Sequence, residues 1–146
     1  MESLHYLLMK SHAMLSRRIL AQAGKLGLTS GQPKVLDFLW KYQEADQKTI
    51  AAYCEIEPAT VGSILLRMGN SGLIVRRQKD GNRRSLYVSL TPAGRETAAK
   101  LMDIFDSEES SAAAGLTPEE QTTLNQLLAK LCDTMQTPNQ GKKATK

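Results

Sequence analysis

Residues 46–70 read DQKTIAAYCEIEPATVGSILLRMGN, and residues 71–95 continue with SGLIVRRQKDGNRRSLYVSLTPAGR. Asp46 is suited to cap the N-terminus of a short helix, because its carboxylate accepts hydrogen bonds from free backbone N–H groups. Glu55-Ile56-Glu57 then predicts a tight turn. Pro58 favours the first position of a second helix, and Gly72 marks that helix's end. The stretch therefore predicts two short helices joined by a tight turn.

The second half of this stretch predicts a β-hairpin. Residues 73–75 and 86–90 are rich in aliphatic, β-branched and aromatic side chains. Asp80-Gly81 lies between them, and an Asp-Gly pair between two such runs is a strong signal for a hairpin turn. The hairpin carries one acidic residue, Asp80, and five basic ones: Arg76, Arg77, Lys79, Arg83 and Arg84. A basic hairpin directly after a helix pair is typical of a winged helix-turn-helix.

The flanking segments have the spacing of helices. Apolar residues recur at helical intervals over 4–22, and a second helix should bury Val35, Leu36, Leu39 and Trp40. Thr91-Pro92 and Thr117-Pro118 begin two further helices, the latter with Glu120 at capping-box spacing from Thr117. We expect a mainly α fold with a small β-hairpin wing, in the order α-α-α-α-β-β-α-α.

Four segments follow from this order. We expect an N-terminal dimerisation helix at 1–25, a winged helix-turn-helix DNA-binding domain at 28–95, C-terminal dimerisation helices at 92–136 and a disordered tail at 137–146. The leucine stripe of the sixth helix needs a partner surface, since its burial would contribute roughly 1.5–3 kcal/mol per side chain. The expected interface of a homodimer comprises Leu4, Leu7, Leu8, Leu124, Leu127, Leu128 and Leu131.

The helix pair and hairpin suit double-stranded DNA, because a single α-helix fits the major groove. On the second helix of the pair, Val61, Ile64, Leu65 and Met68 should face the core, leaving hydroxyls and a guanidinium on the other side. Gly62 should let the backbone approach the duplex. The predicted DNA contacts are Thr49, Pro58, Ala59, Thr60, Gly62, Ser63, Arg67, Arg77, Lys79, Asn82, Arg83 and Arg84.

The same stretch resembles the MarR family of bacterial transcription regulators. The matching segments are 46–51, 58–61, 71–74 and 83–91 with Gly94, and the last of these is similar to the family's wing signature. The resemblance implies a homodimer whose terminal helices interlock. It also implies release of DNA when a small lipophilic or phenolic anion binds, as in many members of the family. Two positions depart from the family pattern: Asn82 and Leu66 stand where many members have Asp, before the wing Arg and the recognition-helix Arg.

Composition narrows the alternatives. The 146-residue chain has a net charge of +4, which is compatible with nucleic-acid binding. Cys54 and Cys132 are far apart and show no metal spacing, so we expect reduced thiols, Cys54 as a small buried side chain. The chain has no signal-peptide pattern and no long apolar run, which predicts a cytoplasmic protein without a membrane partner. No metal site, cofactor or catalytic set of residues is expected, so the chain should not be an enzyme.

Two alternatives stay open at this point. Met9, His12 and Trp40 would line an effector pocket between the first, second and fifth helices, but they are equally explained as core.

The chain is expected to be a repressor that binds inverted-repeat operators. The other reading is a winged-helix protein-interaction module without DNA-binding activity, whose binding would not weaken with salt.

Overall fold

The computed structural model describes residues 1–79 and 82–144, with side chains for 1–79 and 86–136. Seven of the elements fall in the first of two compact units, Met1–Glu109, together with most of the fifth helix; the second unit is Ser110–Lys146. In chain order the elements are α1 (Leu4–Gly24), α2 (Gln32–Tyr42), β1 (Glu44–Asp46), α3 (Gln47–Cys54), α4 (Pro58–Asn70), β2 (Ile74–Lys79), β3 (Asn82–Leu90), α5 (Pro92–Ala112) and α6 (Pro118–Ala144).

Two predicted helix caps are confirmed. The Asp46 carboxylate accepts a 2.8 Å hydrogen bond from the backbone N–H of Thr49. Hydrogen bonding with the Thr49 side chain, and then with its backbone, lowers the pKa of Asp46. Thr117 and Glu120 form a reciprocal capping box, with N–H donors 2.9 and 3.1 Å from the opposite side-chain oxygens. These caps place the starts of α3 and α6 where the sequence predicts them.

The core of the first unit is built mainly from aliphatic side chains. The predicted inward face of α4 is confirmed, with all four of its members buried: Val61, Ile64, Leu65 and Met68. On α2, Val35, Leu36 and Leu39 are buried as expected, but Trp40 is 36% exposed. Phe38 is buried instead, because the rings of Tyr42 and Tyr53 pack against it with centroids 5.0 Å away. The expectation that Trp40 is a core residue was therefore wrong.

The wing belongs to a three-stranded antiparallel sheet with the order β1-β3-β2. The hairpin β2-β3 was expected, whereas β1 was not. Its three residues pair with β3, placing Glu44 opposite Ser89 and Asp46 opposite Tyr87. A three-residue strand is too short to show alternation, and its hydrogen bonds come from a strand about 40 positions later in the chain, so local sequence carries no signal for it.

The junction between the wing and α5 is tightly packed. The Thr91 hydroxyl donates a 2.6 Å hydrogen bond to the Gly72 carbonyl and accepts one of 2.9 Å from the Gly94 N–H. Gly94 is buried, and a Cβ at this position would overlap the carbonyl oxygen of Leu73. Only glycine fits here, so the end of α4 and the start of α5 are fixed against each other.

Within the second unit, α6 continues to Ala144. The sequence placed the end of this helix near 136 and a disordered tail beyond it, because the apolar stripe stops at Met135. A stripe marks the part of a helix that can pack, and it does not report where backbone hydrogen bonding ends. Residues 145 and 146 of the expected tail lie outside the described residues.

The leucines assigned to a dimer interface lie on α1 and α6, and in the single chain all but Leu131 are exposed. Leu131 is half-buried. No described helix is both long and apolar enough to cross a membrane.

Candidate nucleic-acid interface

The turn between α3 and α4 sets the angle of the helix pair. Glu55 adopts the left-handed conformation with φ 55°, and the N–H of Ile56 donates to the Ala51 carbonyl at 3.1 Å. This is the hydrogen bond that closes a Schellman-type helix end. The Gln47 side chain then donates a 2.9 Å hydrogen bond to the Pro58 carbonyl, so the first residue of α3 is tied to the first residue of α4.

The exposed surface of α4 carries five of the twelve predicted DNA contacts. Pro58, Ala59, Thr60, Ser63 and Arg67 are all exposed and lie outside the buried face. Among the described side chains, this surface therefore presents two hydroxyls and one guanidinium to solvent. Hydroxyls and guanidinium groups are donors suited to base edges and phosphate oxygens.

Gly62 has a different neighbour from the one expected. A Cβ at this position would come within 3.0 Å of the Gln47 Nε2 atom, and the residue is only half-exposed. The space beside Gly62 is thus occupied by the side chain that links α3 to α4. This packing gives a reason for glycine that does not involve the duplex.

A polar groove runs between α4 and the start of α2. Its volume is about 440 Å³, and its walls include Thr60, Ser63 and Arg67 together with Thr29, Ser30 and Lys34. The sequence did not single out the α2 side of this groove. A lysine in the first turn of a helix is a common surface residue, and only the fold brings Lys34 beside the face of α4.

The base of the wing forms an ion-pair network that the sequence also missed. Glu44 lies on β1 and its carboxylate is 3.1 Å from an Arg77 nitrogen and 2.8 Å from Lys79 Nζ. Both hydrogen-bonded cations lower the pKa of Glu44, and the same contact raises the pKa of Lys79. Lys79 Nζ also lies 4.4 Å from the centre of the Tyr87 ring. Two predicted DNA contacts, Arg77 and Lys79, are therefore already paired.

Other predicted contacts differ in what the structure says of them. Thr49 is exposed in the first turn of α3, while its N–H is used by the Asp46 cap. Asn82, Arg83 and Arg84 lie on β3, but their side chains are outside the described residues.

A second cavity lies on the other side of α2. This cleft of about 670 Å³ is lined by α1, the start of α2, the end of α3 and Phe105 of α5. Of the three residues assigned to an effector pocket, His12 lines the cleft, whereas Met9 and Trp40 are not on its wall and are exposed. An ion pair between Arg18 and the buried Glu108, 2.6 Å apart, joins two of the lining helices.

The described residues contain no group of three or more His, Cys, Asp or Glu placed to hold a metal ion. The ionisable side chains lining the cleft are His12, Lys34, Asp37, Tyr53, Cys54 and Glu55. This set of both charge signs beside apolar walls suits an amphipathic small molecule better than a metal ion.

Comparison with known proteins identifies the fold. Residues 28–86 match the model described as MarR family. Over this range the chain is similar to the MarR family of transcriptional regulators. The matched range contains α2 to α4 and the wing as far as Leu86, so it holds both the polar groove and the Glu44 network.

Two curated relatives come from Bacillus subtilis (strain 168). An uncharacterized HTH-type transcriptional regulator, YwaE, is 27% identical over 103 residues, which is 70% of this chain and 60% of that protein. The organic hydroperoxide resistance transcriptional regulator is 27% identical over 135 residues, covering 92% of this chain and 88% of its own length. Both are named as transcriptional regulators.

A solved structure extends the likeness to nearly the whole chain. NadR in complex with 4-hydroxyphenylacetate has a TM-score of 0.74 and 25% identity, and covers 90% of this chain and 93% of its own. The similarity therefore includes the outer helices, which the family model does not reach.

Proposed function

We propose that this protein is a MarR-type, sequence-specific DNA-binding transcriptional repressor. The observation that carries the proposal is the combination of an exposed polar face on α4 with a basic hairpin directly after it. Placed in a major groove, α4 would present Thr60, Ser63 and Arg67 to base edges. The wing would then lie over the adjacent minor groove, where arginines are attracted by the strongly negative potential.

The proposed active form is a homodimer. The support is the stripe of leucines on α6, of which Leu124, Leu127 and Leu128 are exposed in the single chain. Monomeric soluble proteins rarely leave a continuous apolar stripe in water. A second copy of the chain supplies a matching surface, and a twofold dimer carries two copies of α4.

A twofold dimer implies operators that are inverted repeats, with half-sites about one helical turn apart. Selection of bound duplexes from a random pool tests this proposal. Enrichment of inverted repeats is the expected result. Enrichment of a single unrepeated half-site would contradict the dimeric mode, and failure to enrich any sequence would contradict sequence-specific binding.

The cleft supports release of DNA by a small effector. Lys34, Ser30 and Gly31 border both this cleft and the polar groove beside α4. An anion that draws the Lys34 ammonium into the cleft would take it away from a phosphate on the other side. The chemistry that fits is a small lipophilic or phenolic anion, the class of the 4-hydroxyphenylacetate bound by NadR.

4-Hydroxyphenylacetate itself is the probe for this step. It should weaken binding of the selected operator by the wild-type protein, and it should have less effect on Lys34→Met, in which the shared cation is gone. Equal weakening of both proteins would contradict a role for Lys34. No weakening of the wild type would contradict 4-hydroxyphenylacetate as an effector of this protein.

A further inference from the structure

One large apolar residue on α4 does not belong to the core. Leu66 is 60% exposed, whereas the other large apolar residues of the helix are buried, namely Val61, Ile64, Leu65 and Met68. A single exposed leucine is ordinary on a protein surface. Its exposure alone decides nothing, but its position on this helix does.

Leu66 occupies the middle of the outward face. Ala59, Ser63, Leu66 and Asn70 follow each other at intervals of four, three and four residues, and all are exposed. At 3.6 residues per turn this spacing places them along one line of the helix. The line lies opposite the buried face. Thr60 and Arg67 flank it on one side, where they line the groove shared with α2.

A helix placed in the major groove turns the centre of its outward face to the base edges. An aliphatic side chain there would cover hydrogen-bonding groups of most base pairs without satisfying them, which is costly. The exception is thymine, whose C5-methyl group is the apolar feature of the major-groove edge. A leucine that meets the base edges would therefore favour thymine.

We propose that Leu66 reads the C5-methyl group of a thymine in each half-site of the operator. The inference rests on the proposed function, because it needs α4 to enter the major groove. It adds an apolar specificity determinant to the hydrogen-bonding set of Thr60, Ser63 and Arg67. Because Leu66 is exposed in the free protein, replacing it should leave the fold intact.

The test removes the methyl group without changing base pairing. Each thymine of the selected operator is replaced in turn by deoxyuridine, and affinity is measured for the wild type and for Leu66→Ala. The wild type should lose about fourfold in affinity at one thymine position per half-site, the effect of leaving one methyl group unburied. Leu66→Ala should bind the thymine operator more weakly and show no loss at that position.

Two further variants complete the experiment. Leu66→Met keeps an apolar side chain and should retain sensitivity to deoxyuridine. Leu116→Ala removes a leucine of 38% exposure outside α4 and should behave as wild type. Thermal unfolding of each variant verifies that the fold is kept.

The possible failures are distinct. If Leu66→Ala keeps the deoxyuridine sensitivity of the wild type, or if the wild type has none at any thymine, the assignment of Leu66 is overturned while DNA binding stands. If the wild type binds no duplex in a sequence-dependent way, the proposed function fails, and the assignment fails with it.

Discussion

The Glu44 carboxylate lies 2.8 Å from Lys79 Nζ, and the two residues come from strands that do not pair with each other. Glu44 belongs to β1 and Lys79 to β2, with β3 between them. The contact reaches across the central strand and includes Arg77. Two of the wing's cations are thus held by an acidic residue that precedes the helix pair in the chain, so they are not free for phosphate in the unbound protein.

Removing this acidic partner should strengthen non-specific binding. In the wild type, Arg77 and Lys79 must break their ion pairs with Glu44 before they can contact phosphate. Glu44→Gln removes these ion pairs. We expect tighter binding to both operator and random duplexes. The logarithm of the binding constant should also fall more steeply with the logarithm of the salt concentration, by about 0.9 for each of up to two added phosphate contacts. Fluorescence anisotropy over a range of salt concentrations measures both quantities.

The matched control for Glu44→Gln is Glu96→Gln. It removes the same charge from an exposed position on α5, where Glu96 is 3.9 Å from Lys100. Its salt slope should equal that of the wild type. Equal slopes for Glu44→Gln and Glu96→Gln would mean that Glu44 does not restrain the wing cations.

The junction between β3 and α5 should tolerate no side chain at residue 94. Gly94→Ala places a Cβ into the Leu73 carbonyl, and we expect a loss of about 3 kcal/mol or more in the free energy of unfolding. Gly69→Ala is the control, because Gly69 lies in the last turn of α4 and a Cβ there meets nothing within 4 Å. That change should stabilise the protein by about 1 kcal/mol. Urea unfolding measures the stability of both variants. Similar free energies of unfolding for Gly94→Ala and Gly69→Ala would contradict the tight packing of this junction.

The buried thiol of Cys54 should make stability fall at high pH. Burial raises the pKa of Cys54 from 9.0 to about 11. The unfolded chain therefore ionises this thiol first, so the stabilisation is complete below pH 9 and is lost as the pH rises to 11. A difference of two pKa units corresponds to about 2–3 kcal/mol. Between pH 9 and pH 11 the free energy of unfolding should fall by this amount in the wild type and not in Cys54→Ala. Parallel pH profiles for the two proteins would contradict the burial of this thiol.

The apolar stripe of α6 should decide the oligomeric state. Leu127 is 53% exposed in the single chain, and Leu127→Asp would bring a charge into the proposed interface. We expect a dimer for the wild type and a monomer for this variant in sedimentation at micromolar concentration, since each buried leucine contributes roughly 1.5–3 kcal/mol. Gln126→Asp lies on the opposite side of the helix and should remain dimeric. A monomeric wild type would end the dimer proposal.

Local sequence accounts for the features that depend on neighbouring residues. The buried face of α4, the Asp46 cap and the hairpin after Asn70 follow from periodicity, capping and turn chemistry. The features that it did not reveal depend on distant residues. Glu44 and Arg77 are 33 positions apart, and β1 exists because β3 pairs with it.

The same reason explains the errors in the candidate site. Phe38 rather than Trp40 is buried on α2, because Tyr42 and Tyr53 cover the Phe38 ring. Tyr53 comes from α3, so a pattern within α2 cannot distinguish the two aromatic residues. Gly62 packs against Gln47 of another helix, a neighbour that no pattern within α4 indicates, and its approach to the duplex stays a prediction. The groove residue Lys34 carries no pattern of its own, and only the packing of α2 beside α4 places it there.

The most direct test of the account is a salt titration of binding to the selected operator and to a random duplex, with the wild type, Arg67→Ala and Arg84→Ala. Arg67 lies on the exposed face of α4, so its loss should cost about 1–3 kcal/mol on the operator and narrow the gap between the two duplexes. Arg84 belongs to the wing by sequence, and its loss should weaken both duplexes alike and flatten the salt slope by about one unit. Wild-type binding that neither weakens with salt nor distinguishes the two duplexes would contradict the central claim that this chain is a sequence-specific DNA-binding regulator.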